Sequence, residues 1–160
     1  MTDPILRAIL ARQEGRRLDV YRDSEGFWTV GVGHLVSTDK SLSADQARAL
    51  CGAPLSDDEC DRLLDSDIED KVRQLTAAFG WFGGLPEWPR RGLIDMAFQL
   101  GVTGVRGFPK MLAALRAEDY PAAKAHGLDS YGTPENPGWH AQTPARCEET
   151  CTMLGNSAIA

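Results

Sequence analysis

One stretch limits the possible folds more than any other. Between Cys60 and Phe79, apolar residues recur at Leu64, Ile68, Val72 and Leu75, three or four positions apart. That period lays a single apolar stripe along a helix. Ser56 followed three positions later by Glu59 is a capping box that starts it. The spacing predicts one long helix over about 57–78 with a strongly acidic outer face. Whatever precedes and follows it must be built around that rod.

The period changes ahead of the long helix. Pro4 to Gln13 places Ile5, Ile9 and Leu10 on one helical face, with Asp3 as N-cap, Pro4 in the first turn and Gly15 as the stop. Glu14 then sits at the negative end of a helix dipole, which disfavours a carboxylate and suggests a purpose other than helix stability. Leu18, Val20, Phe27, Thr29 and the run Val30 to His34 suggest short strands, separated by the turn Asp23-Ser24-Glu25-Gly26. Gly31 and Gly33 alternate within that run, a pattern that marks close backbone approach or a ligand groove. The reading is a small antiparallel sheet over about 17–36.

The rest reads as helix. Ser43 and Gln46 form a second capping box, opening a helix that runs to about Leu50. Gly80 to Pro89 and Ser130 to Gly138 read as loops, and helices are expected over 89–100, 109–117, 120–127 and 144–154. The fold class is therefore α+β and mostly helical, a two-lobed domain spanning 1–160. A sheet-containing lobe of about 14–60 is joined by the 57–78 helix to a helical lobe of about 75–160 plus the N-terminal helix. Such a shape leaves a cleft between lobes for an extended ligand.

Composition narrows the function classes. Seventeen basic and 23 acidic residues give a net charge of −6, which argues against a nucleic-acid partner. No apolar run approaches the length of about 20 residues that spans a bilayer, so stable membrane insertion is not expected. Met1 to Gly15 lacks the basic, apolar and small-residue order of a signal peptide, and synthesis in a cytoplasm without an export signal is expected. The four cysteines form two close pairs, Cys51/Cys60 and Cys147/Cys151. Neither pair completes a metal site, so no metal or cofactor is expected, and buried thiols are the plainer reading. A Cys51–Cys60 bridge stays open.

Glu14 and Asp23 carry the chemistry. Glycoside hydrolysis needs one carboxylic acid to protonate the leaving oxygen and a second carboxylate to activate water or stabilise positive charge. A helix end and the turn after the next strand can bring such a pair together, and Thr29 can reach the same place from the following strand. On spacing alone the pair is ordinary, because 23 acidic residues supply many such pairs on a solvated surface.

The surrounding string is not ordinary. Glu14-Gly15, Leu18, Tyr21, Asp23, Gly26, Thr29 and Gly31-Val32-Gly33-His34 resemble the motif of the T-even phage-type lysozymes, glycoside hydrolase family 24. Met96 to Gly101, then Thr103-Gly104-Val105 and Gly107-Phe108, form a second matching block, and Trp139 with Gln142-Thr143-Pro144 and Arg146 a third. The resemblance implies a lysozyme-like fold and a monomeric muramidase. It would cut the β-1,4 bond between N-acetylmuramic acid and N-acetylglucosamine in peptidoglycan with inversion. Glu14 would be the general acid, Asp23 the second carboxylate and Thr29 the holder of water.

The same resemblance implies that Leu35, Phe98, Gln99 and Gln142 contact sugar, that Arg146 pairs with Glu14, and that His34 is a structural partner of Asp67. Trp139 reads as a packing anchor. Met111 and His126 stand where relatives carry Ser or Asn, and the 131–138 loop is long. The setting implied is an endolysin made in a host bacterial cytoplasm and released to the periplasm or wall. The alternatives are a virion-associated or bacterial enzyme of the same type and a non-catalytic peptidoglycan-binding module.

Overall fold

A computed structural model describes residues 3–135 and 137–158. The chain divides into two compact units, Met1–Asp70 and Lys71–Ala160.

The first unit opens with α1 (Pro4–Glu14), where the Asp3 carboxylate accepts the backbone N–H groups of Ile5 and Leu6 at 3.1 and 3.0 Å. Three strands follow, β1 (Arg17–Arg22), β2 (Trp28–Gly31) and β3 (His34–Ser37), paired antiparallel in sequence order. Opposed residues form two rows, Tyr21–Thr29–Leu35 and Arg22–Trp28–Ser37. The Val30–His34 run is not one strand. Val32 and Gly33 form the β2–β3 turn, with Gly31 and Gly33 at φ 67° and 69°. Left-handed backbone of this kind favours glycine and ends a strand.

Next come α2 (Ala44–Cys51) and α3 (Asp57–Ala78), and the unit boundary falls inside α3. Both capping boxes form. Ser43 N–H donates to Gln46 Oε1 at 2.8 Å and Ser56 N–H to Glu59 Oε2 at 2.7 Å, each with its reciprocal bond. On α3, Cys60, Leu64 and Leu75 are buried, and so is Phe79 just beyond its end. Salt bridges from Arg7 to Asp65 and from Arg16 to Asp57 and Asp61 fasten α1 and the start of the sheet to α3.

The second unit contains the rest of α3 and a 3-10 turn at Phe82–Gly84, then α4 (Glu87–Val105), α5 (Pro109–Arg116), α6 (Tyr120–Leu128), α7 (Trp139–Gln142) and α8 (Pro144–Leu154). Arg91 to Ala97 of α4 are all buried, so this helix is central to its unit. Gly101 leaves helical geometry at φ 68°, which breaks α4 where the apolar pattern ends. α8 packs on α4, α6 and α7. The close crossings use glycine: a Cβ at Gly92 would stand 2.9 Å from Leu154 Cδ2, and one at Gly127 only 2.5 Å from Cys151 Sγ.

Trp139 is buried with its ring edge-on to Phe108 at 5.6 Å, the anchoring role expected of it. Asn136 of the 131–138 loop lies outside the described residues. All four cysteines are free thiols. Cys60, Cys147 and Cys151 are buried, and Cys51 is half-buried. Among the described residues no helix is long and apolar enough to cross a membrane.

Candidate active site

Glu14 is the last residue of α1. Gly15 follows at φ 78°, donates its N–H to Ala11 O at 3.0 Å, and turns the chain toward β1. The Glu14 side chain is half-buried and lies against the turn between β2 and β3. A Cβ at Gly33 would stand 3.2 Å from Glu14 Oε2 and 3.4 Å from Glu14 Cβ and Cδ. The sequence suggested a close approach at this glycine. What approaches it is the carboxylate of Glu14.

Asp23 is fixed by the turn it opens. Its Oδ1 accepts the N–H groups of Glu25 at 2.9 Å and Phe27 at 2.8 Å, while its own N–H donates to Phe27 O at 2.9 Å. Gly26, at φ 83°, closes the turn. Thr29 is 4% exposed and donates its hydroxyl to Phe27 O at 3.3 Å. The Phe27 backbone is therefore the common fixing point of Asp23 and Thr29.

Tyr21 lies beside them, opposite Thr29 in the sheet. Burial pushes its phenol above the ordinary range. The Arg17 guanidinium, 4.5 Å above the ring, opposes this, and the charges of Glu14 and Asp23 reinforce it. Both carboxylates are thus close enough to act on one phenol. The sequence reading placed Tyr21 in the motif but gave it no role.

Leu35, the third member of the same row, is 50% exposed. His34 donates from Nδ1 to Asp67 Oδ2 at 2.9 Å and Oδ1 at 3.0 Å, joining β3 to α3. That bond raises the imidazole pKa, against the opposing effect of burial. The pairing is the one the sequence implied.

The remaining candidates lie in the second unit. Phe98 is half-buried on α4. Gln99 uses both ends of its amide internally, donating from Nε2 to Thr143 Oγ1 at 2.9 Å and accepting from Trp139 Nε1 at 2.8 Å. Gln142 is exposed and donates to Pro137 O. Arg146 donates from Nη2 to Asp95 Oδ1 at 2.9 Å, and Thr150 donates to the other oxygen of the same carboxylate.

Asp95 is completely buried and was not picked out from the sequence. Its signal was a lone charge inside Leu93-Ile94-Asp95-Met96-Ala97. Met111, buried, and His126, exposed, line a cavity of about 410 Å³ with Phe108 and Trp139. Among the described residues no group of three or more His, Cys, Asp or Glu is placed to hold a metal ion.

A carboxylate packed against the β2–β3 turn, with a second carboxylate and a buried hydroxyl both bonded to backbone, has the chemistry of acid–base hydrolysis. Comparison with known proteins points the same way. A family model described as phage lysozyme matches residues 11–142. The chain is 32% identical over 163 residues to the pre-baseplate central spike protein Gp5 of Enterobacteria phage T4, covering 91% of this chain but only 27% of that protein. It is 24% identical over 170 residues to a Dictyostelium discoideum protein named "Probable T4-type lysozyme 2", covering 96% of this chain and 95% of the relative. It is also 29% identical over 117 residues to the endolysin of Salmonella phage P22, covering 71% and 72% of the two chains.

Proposed function

Because this chain belongs to the phage lysozyme family, we propose that it hydrolyses the β-1,4 bond between N-acetylmuramic acid and N-acetylglucosamine of peptidoglycan. The observation that carries this reading is the fixing of Glu14 against Gly33, with Asp23 and Thr29 both tied to the Phe27 backbone.

In this mechanism protonated Glu14 gives its proton to the glycosidic oxygen as the C1–O bond breaks. Asp23 takes a proton from the attacking water, whose oxygen bonds to C1 from the opposite face. Thr29 spends its hydroxyl proton on Phe27 O, which leaves its oxygen lone pairs to accept from that water. The products are two shorter glycans, and exchange with solvent returns the proton from Asp23 to Glu14. Attack from the far side inverts the anomeric centre. Leu35, Phe98 and Gln142 are proposed to contact the glycan. Gln99 is proposed to act by holding Trp139 and Thr143 in place.

The setting proposed is an endolysin made in the host cytoplasm and acting on the wall as a monomer. The spike-protein relative favours a second setting, the same hydrolase carried within a particle. The test of the activity is turbidity loss of outer-membrane-permeabilised cells with wild type and Glu14→Gln, with NMR of the first-formed anomer. Clearing by wild type alone, with an inverted α-anomer, is expected. Equal clearing by both sinks the role of Glu14, and a retained β-anomer sinks the inverting mechanism.

A further inference from the structure

We infer that Tyr21 is a positioning residue for the glycan, donating its phenolic hydrogen to a sugar oxygen that lies over Thr29. The inference rests on the hydrolase reading above.

The sheet supplies the geometry. Tyr21, Thr29 and Leu35 are directly opposed across β1, β2 and β3. Opposed residues of an antiparallel sheet project on one face, with Cβ atoms about 4.5–5.5 Å apart. The short buried threonine is therefore flanked on one side by an aromatic ring and on the other by a leucine that is 50% exposed. A row with a short hydroxyl residue at its centre and two long apolar side chains at its ends is concave. It presents apolar walls and a polar floor, the pattern that suits a pyranose with apolar faces and a polar rim.

The tyrosine is also held in position. The Arg17 guanidinium lies 4.5 Å from its ring centroid, a cation–π contact that restrains the ring. Its hydroxyl makes no hydrogen bond among the described residues, although the side chain is half-buried. A half-buried phenol usually finds a partner. Burial, and after it the negative charges of Glu14 and Asp23, disfavours its ionisation, so it remains a donor across the range in which carboxylates titrate. A sugar oxygen is an acceptor of the right chemistry and supplies the missing partner.

Tyr21→Phe keeps the ring and its contact with Arg17 and removes only the donor. With dye-labelled sacculi, Y21F is expected to lose about tenfold in kcat/KM through a higher KM, the loss of one neutral hydrogen bond. Its melting temperature should match wild type. In a Glu14→Gln background, expected on the hydrolase reading to bind without cutting, adding Y21F should weaken cosedimentation with sacculi by a similar factor. A wild-type kcat/KM for Y21F, or equal sedimentation of the two Glu14→Gln proteins, overturns the inference. Wild type that releases no dye overturns the hydrolase reading instead, so the two failures are distinct.

Discussion

Gly33→Ala tests whether the β2–β3 turn is the seat of the acid. Two costs follow from the structure. The first is backbone strain: Gly33 has φ 69°, and a residue with a Cβ pays about 1–2 kcal/mol there. For a domain of this size that lowers the melting temperature by roughly 2–8 °C, at about 2–4 °C per kcal/mol. The second cost is specific to this position. The new Cβ would stand 3.2 Å from Glu14 Oε2, so the carboxylate must yield by a few tenths of an ångström.

Misplacing a reacting group by 1 Å can cost on the order of a hundredfold, so a smaller shift should cost roughly three- to tenfold in turnover. Gly52→Ala is the control. Gly52 has φ 73°, and nothing lies within 4 Å of its Cβ position, so it carries the first cost without the second. Both variants should melt lower, by calorimetry, and only Gly33→Ala should release dye from sacculi more slowly. Equal turnover in the two variants would refute the proposed contact between Glu14 and the turn.

Two further predictions concern the supports of the fold. Asp95→Asn removes a completely buried charge that pairs with the partly buried Arg146, and breaking such a pair costs about 3–5 kcal/mol. The melting temperature should fall by roughly 6–20 °C, and an unchanged value would sink the role given to Asp95. The histidines predict a pH dependence. His34 is raised by its bond to Asp67, and His140 is raised by its bond to the Leu128 carbonyl and then by Glu148. A group whose folded pKa is raised stabilises fully below its unfolded value, about 6.5, and loses that contribution as pH climbs through the folded value. The melting temperature should therefore decline as pH rises above neutral, and His34→Gln should flatten the decline. A melting temperature that rises over that window would contradict the assignment.

What could be read from the sequence follows the range of each interaction. The long helix was legible because its period repeats along the chain, and both capping boxes because their partners are three residues apart. The sheet was expected over 17–36 and runs from Arg17 to Ser37. Inside it the reading failed at Val32-Gly33, because alternating valine and glycine look like a strand until two positive φ angles turn the chain. α7 has four residues, too few to show any period.

Pairings between distant segments were harder still. The sequence gave no hint that Arg146 would pair with Asp95, which lies 51 positions from it. Gln99 shows a different ambiguity. An amide in a matching block suits sugar binding and internal bonding equally well, and the structure is needed to see both of its ends occupied by Trp139 and Thr143.

The buried thiols have a consequence for how the protein can travel. Cys147 and Cys151 lie with sulfurs 3.9 Å apart, in thiol–thiol contact and not joined by a disulfide, and burial pushes both thiols, and that of Cys60, above their ordinary range. The thiolate is the form that attacks oxidants and disulfides, and here it is scarce as well as shielded. Only Cys51, half-buried, departs from this pattern of full burial. A chain built this way can fold under reducing conditions and act under oxidising ones with these three thiols unchanged, and their chemistry carries no record of which surroundings came first.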